Sequence, residues 1–158
     1  FYPLAYYCAY YSIRANAFDY EKMAMGRERL EYYINDYKAK KADGTISNVE
    51  DDELKDMRIV QEMYARGFEF VPIDIYKAKA RSFQIIDGKI MPSFKVISKV
   101  GESAGESIEI AARDGEFLSK DDLRQRARIG QTVIEKLGEL GLLDGMAESN
   151  QLSLFDVI

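Results

Sequence analysis

The chain of 158 residues contains no histidine and only one cysteine, Cys8. Without histidine, both the commonest metal ligand and the usual proton carrier at neutral pH are missing. A lone thiol cannot close an internal disulfide. The sequence therefore reads as cytosolic, with no structural zinc. Nor is there a membrane span, because the apolar opening from Phe1 to Ala15 is broken by Pro3, Ser12 and Arg14 and is too short and too rich in tyrosine. The basic start of a signal peptide is also absent. A net charge of −5 leaves no overall basic excess to attract a polyanion. No methionine stands at position 1, and the chain is expected to be a piece of something longer.

What is present is unevenly distributed. Between positions 77 and 99 the bases Lys77, Lys79, Arg81, Lys89, Lys95 and Lys99 face a single acid, Asp87, and a second basic group follows at Arg124, Arg126 and Arg128. Phosphate contacts are thus expected in the second half. For Lys77, Lys79 and Arg81 a solvated loop is the favoured reading, with polyanion contact the alternative.

Hydrophobic periodicity predicts a mainly α-helical fold with one small β-hairpin. Leu4, Tyr7, Cys8, Tyr11 and Ala15 recur at helical spacing, and Met23, Leu30, Tyr33, Ile34 and Tyr37 form the apolar stripe of a helix from Tyr20 to about Lys41. Ser47 and Glu50 have the spacing of a capping box that opens the next helix, with Leu54, Met57, Val60 and Tyr64 on its inner face and Gly67 at its stop. The period then becomes alternating, and Asp87-Gly88 between apolar pairs marks a tight hairpin. The expected organisation is a helical segment over 1–70, a linker with short strands over 71–98, a duplex-binding helical region over 99–145, and a flexible tail over 146–158.

The last third repeats itself. KVGESAGESI, Lys99 to Ile108, aligns without a gap with RIGQTVIEKL, Arg128 to Leu137. Each copy runs base, β-branched apolar residue, glycine, two polar positions, and later a final apolar residue. The glycines, Gly101 and Gly130, stand at the mouths of two helices, with a hydroxyl two residues on at Ser103 and Thr132. A helix start leaves backbone N–H groups without internal partners and is mildly positive, which suits phosphate. Glycine before it allows positive φ and close approach of a sugar-phosphate backbone. Two such seats could hold successive phosphates of a duplex without reading a base. Lys99 and Arg128 would add counter-charge, whereas Glu102 and Glu106 would subtract it. The plainer alternative is that both glycines merely end loops in a helical bundle. Between the copies, Ser119 and Asp122 predict a capped short helix ending at Arg128.

No catalytic or metal-binding carboxylate set stands out. Asp51 and Asp52 belong to an acidic run at a helix start, and Asp121 and Asp122 are accounted for by capping. The chain ends NQLSLFDVI, and its Leu152, Leu154 and Phe155 have no partner in the local pattern. They are either an ordinary chain end or a ligand for another protein's groove.

The stretch QLSLF resembles the short motif by which bacterial replication proteins bind the sliding clamp. Together with ARGFEFVPIDIYKAKARSF, the run from Glu116 to Phe155 and the opening YPLAYYCAYYSIRANAFD, it is similar to the C-terminal end of the PolC-type DNA polymerase III α subunit family. The likeness covers essentially the whole chain and is weakest from about Gly26 to Asp56. It implies the end of the fingers, then a tandem helix-hairpin-helix region that grips product duplex through Lys99, Val100, Gly101, Glu102, Ser103, Ala104, Arg128, Gly130 and Thr132. It implies Gln151, Leu152, Ser153, Leu154 and Phe155 as the clamp contact. The implied partners are primer-template DNA, the clamp's beta subunit and other replisome proteins in the bacterial cytoplasm, with no membrane. The catalytic aspartates and their Mg2+ would lie in a palm upstream, so that no cofactor is expected here and the chain alone should not make DNA. Two positions depart from the family: Lys99 stands where such hairpins often have a glycine, and Met146-Ala147 where the family tends to show Leu-Pro. A stand-alone helix-hairpin-helix DNA-binding or repair module that borrows the clamp is the alternative, and a protein-interaction scaffold is a third reading.

Overall fold

The computed structural model describes residues 3–149. Helix α1 (Pro3–Ile13) opens on Pro3, whose fixed φ suits a helix start. Tyr7 and Tyr11, four residues apart on one face, are buried. Around the Tyr11 ring gather Phe18, Phe70 and Phe83, with ring centroids 5.3, 5.7 and 5.7 Å away. Each such ring contributes roughly 1.5–3 kcal/mol by leaving water. The Tyr7 hydroxyl donates to Glu62 Oε1 at 2.5 Å.

The apolar stripe after Tyr20 is present, but two helices carry it. Helix α2 (Tyr20–Met23) ends before Gly26, whose φ of 108° breaks the helix, and α3 (Arg27–Asp43) resumes beyond it. A side chain at that φ would be strained, so glycine permits the break. Gly44, left-handed at φ 79°, stops α3. Helix α4 (Asn48–Ala65) starts on the predicted capping box: Glu50 N–H donates to Ser47 Oγ and Ser47 N–H donates to the Glu50 carboxylate, both at 3.1 Å. Lys40–Glu50 and Lys41–Asp51 ion pairs at 2.6 and 3.1 Å hold the end of α3 to the start of α4. The Lys40 ammonium and then the Ser47 N–H hold the Glu50 carboxyl down to about 2.

The extended segment after Gly67 bridges Phe70 to Ile90. Strands β1 (Gln84–Ile86) and β2 (Lys89–Met91) pair antiparallel, with Ile86 opposite Lys89. Asp87 and Gly88 both have positive φ, 51° and 76°, as a two-residue primed turn requires. A 3-10 turn (Phe94–Val96) leads to α5 (Gly101–Ala112), followed by α6 (Lys120–Ala127) and α7 (Gln131–Glu139). Phe94, Ile97, Val100, Ile108, Leu123, Ile134 and Leu137 join one continuous apolar core with Tyr11, Leu30 and Met57. Lys136 of α7 pairs with Glu21 of α2, a second tie between the two ends of the sequence.

Candidate nucleic-acid interface

The two repeated stretches are also equivalent in burial. Lys99 and Arg128 are exposed, Val100 and Ile129 are buried, and Gly101, Glu102, Ser103 and their counterparts Gly130, Gln131, Thr132 are exposed. Ala104 and Val133 are half-buried, and Ile108 and Leu137 are buried in the core. One side of each turn thus anchors the unit and the other presents backbone and polar side chains to solvent.

The backbones of the two turns differ in one respect from the expectation. Gly101 has the predicted positive φ, 75°, but Gly130 is extended at φ −79°, ψ 166°. In both copies the basic residue two positions earlier takes the left-handed conformation: Lys99 at φ 69° and Arg128 at φ 54°. Lys99 does so although it stands where a glycine would be relaxed. Around Val100, at φ −81°, the first turn alternates in sign from Lys99 to Gly101. Such alternation curls successive N–H groups into an anion-binding concavity.

Helices α5 and α7 both start without a side-chain cap, on Val100 and Gly130. Among the described residues, the N–H groups of Gly101, Glu102 and Ser103, and of Gln131, Thr132 and Val133, have no acceptor. Helix α3 likewise starts uncapped, outside the repeat. The start of α6, lying between the copies, is closed: Ser119 Oγ accepts from Asp122 N–H at 3.0 Å, and the Ala147 and Glu148 carbonyls accept from Lys120 and Asp121 N–H at 2.8 and 3.2 Å. The Asp122 carboxylate reaches back to Leu118 N–H at 2.9 Å, one residue before the position a capping box would use.

Side chains around the turns sort the basic residues into committed and uncommitted. Arg81 lies between Glu102 and Glu106, at 2.8 and 2.5 Å, and neutralises the two acids that would repel a phosphate at the first turn. Lys89 pairs with Glu69 at 3.2 Å, and Lys95 Nζ donates to the Ser12 carbonyl at 3.0 Å. Arg126 is a staple: it donates to the Ala111, Gly115 and Glu116 carbonyls and covers the Phe117 ring at 4.5 Å. Arg124 approaches Asp121 at 3.8 Å. Among the described residues, Lys99 and Arg128 form no ion pair and stay available to an external anion. The role of Arg81 was not readable from its own neighbourhood; the only sequence signal is that Glu102 and Glu106, one helical turn apart, call for a cation from elsewhere.

Only the second copy is a complete helix, turn and helix, formed by α6, Arg128–Gly130 and α7. The first copy enters α5 from the short 3-10 turn: Pro92 has no N–H to give a preceding helix, and Phe94 and Lys95 N–H, at the start of that turn, donate to the Lys79 and Ala80 carbonyls. Gly105 packs against that turn, and a Cβ there would come within 2.8 Å of Phe94 Cβ.

Residues 67–152 match the family profile described as the helix-hairpin-helix motif, more than half of the chain. The chain belongs to the helix-hairpin-helix family. Over nearly its whole length it is also homologous to proteins named DNA polymerase III PolC-type: 44% identical to that of Streptococcus suis, 43% to that of Streptococcus pyogenes and 42% to that of Streptococcus pneumoniae. In each case 98% of this chain is covered and 10% of the relative. The chain thus spans about a tenth of the length of the curated relatives it matches. Among the described residues, no helix is long and apolar enough to cross a membrane, and no group of three or more His, Cys, Asp or Glu could hold a metal ion. Gln151, Leu152, Ser153, Leu154 and Phe155 lie outside the described residues.

Proposed function

We propose that this chain is the C-terminal region of a PolC-type replicative DNA polymerase, holding the product duplex through its sugar-phosphate backbone and the sliding clamp through Gln151 to Phe155. The observation that carries the duplex reading is the pair of uncapped helix starts in the repeat, each beside an unpaired base held in the same left-handed conformation. Open N–H groups at each turn, Gly101–Ser103 and Gln131–Val133, would donate to one phosphate per turn, and Lys99 and Arg128 would supply counter-charge. Ser103 and Thr132 add hydroxyl donors, and Glu102, tied to Arg81, no longer repels. The grip is independent of sequence and weakens steeply with salt.

The chain contributes holding rather than chemistry. Phosphoryl transfer needs carboxylates that carry two metal ions. The acidic pairs here do not fit that use: Asp51 pairs with Lys41 and Asp52 with Lys55, at 3.1 and 3.5 Å, and Asp122 is engaged by Leu118 N–H and Arg126. The magnesium-binding carboxylates would belong to a palm elsewhere in the polymerase, and the chain alone is inactive.

The tail adds a tether in the bacterial cytoplasm. Burying Leu154 and Phe155 in a clamp groove contributes roughly 1.5–3 kcal/mol each, which falls short of the about −8 kcal/mol of a micromolar contact and makes the tail a weak ligand. A contact of that strength suffices when clamp and polymerase share one DNA, since the second binding event is intramolecular. Titrating the chain and a version truncated after Asn150 against purified bacterial sliding clamp tests this. Binding that vanishes on truncation supports the reading; binding by neither refutes the clamp assignment.

A further inference from the structure

The stretch just before the clamp motif is docked on the duplex-binding unit. Ala147 and Glu148 carbonyls take the first two free N–H groups of α6, and Lys120 Nζ pairs with the Glu148 carboxylate at 2.8 Å. Three contacts at two adjacent residues hold this stretch as an element rather than as the start of a loose tail. We infer that Ala147, Glu148 and the start of α6 form a clip that sets how far the clamp can stand from the gripped duplex. The inference rests on the clamp reading above for its partner, while the clip itself does not depend on it.

The consequence is one of length. Leu143 is the last core residue before the tail. Were the chain free from there, residues 144–150 would give Gln151 a leash of up to about 25 Å. With Glu148 held, no more than two residues stand between the clip and Gln151, an upper bound of about 7 Å on the span. The clip also sits at one end of an eight-residue helix whose other end is the Arg128 turn. At 1.5 Å per residue, α6 places the exit about 12 Å from a candidate phosphate seat. Clamp and duplex would be held as near neighbours, and the short leash raises the effective concentration of the clamp motif. Effective concentration falls roughly as the −3/2 power of tether length once the span is met.

Two insertions separate a clip from a loose tail. Twelve Gly/Ser residues placed between Gly145 and Met146 lie behind the clip, and the same twelve placed between Ser149 and Asn150 lie beyond it. The full chain carrying either insertion is titrated against free clamp, then against clamp loaded on circular duplex DNA. Free-clamp affinity should be unchanged by both. On loaded DNA, the insertion beyond Ser149 should weaken retention about tenfold, and the one behind Met146 should leave it within about twofold. Equal effects of the two insertions, or tighter retention from the one beyond Ser149, would overturn the inference. Hydrogen exchange supplies a readout that needs no clamp: Lys120 and Asp121 amides should exchange slowly and lose protection on truncation after Met146. Rapid exchange in the intact chain would overturn the clip itself, whereas slow exchange without clamp binding would mean that the clamp reading alone had failed.

Discussion

Replacing Lys99 by glycine should make the protein more stable and a weaker DNA binder at once. Lys99 is exposed and held at φ 69°. For a residue with a Cβ the left-handed conformation costs about 1–2 kcal/mol. Glycine removes that strain and loses about 0.5–1 kcal/mol to its freer unfolded chain, so Lys99→Gly should stabilise by about 0.5–1 kcal/mol. In a domain of this size that is a rise of about 1–4 °C in Tm. The same change deletes one counter-charge beside the first turn, and the slope of log affinity against log salt should fall by about 0.9. Lys99→Ala separates the two effects, since it loses the charge and keeps the strain. Thermal unfolding of both variants, with duplex titrations by fluorescence anisotropy at several salt concentrations, provides the comparison. Equal stability of the Gly and Ala variants would refute the strain argument, and an unchanged salt slope would refute the phosphate contact.

Three further outcomes follow from packing and titration. Tyr11 is fully buried, and its hydroxyl has no partner among the described residues; Tyr11→Phe should therefore raise unfolding free energy by about 1 kcal/mol in chemical denaturation. Gly105→Ala should lower it by about 1 kcal/mol or more, because the clash with Phe94 Cβ outweighs the gain in helix propensity. The Glu50 carboxyl is depressed from 4.5 to about 2 in the fold. Its contribution is complete above the unfolded value and lost as pH falls through about 2. Glu50→Gln should accordingly be less stable than the parent at pH 7, with the gap closing between pH 4.5 and 2 in a series of denaturation midpoints.

What could be read from the sequence was local. The Ser47–Glu50 capping box, the Asp87-Gly88 turn and the Ser119 cap each depend on residues within three positions of one another, and each formed. The repeat was legible because the same burial requirement acts on both copies. Three things were not. The break at Gly26 was hidden because the apolar stripe continues in phase across it. The left-handed Lys99 and Arg128 run against residue preference, and the surrounding packing of Val100 and Ile129 imposes them. The partners of Arg81, Lys95 and Ala147 lie far away in the chain, at Glu102 and Glu106, at Ser12 and at Lys120. Local periodicity carries no signal for such pairings. They decide which bases stay free of ion pairs and how residues 147 and 148 are held against α6.

The central claim, that two equivalent turns hold the phosphate backbone of a duplex, is tested most directly by following backbone amide resonances during titration with duplex DNA. Two duplexes of unrelated sequence should shift the same amides, those of Gly101 to Ala104 and Gln131 to Val133, and the shifts should disappear together as salt is raised. Shifts that differ between the duplexes, or that fall on α3 and α4 and leave both turns unmoved, would contradict it.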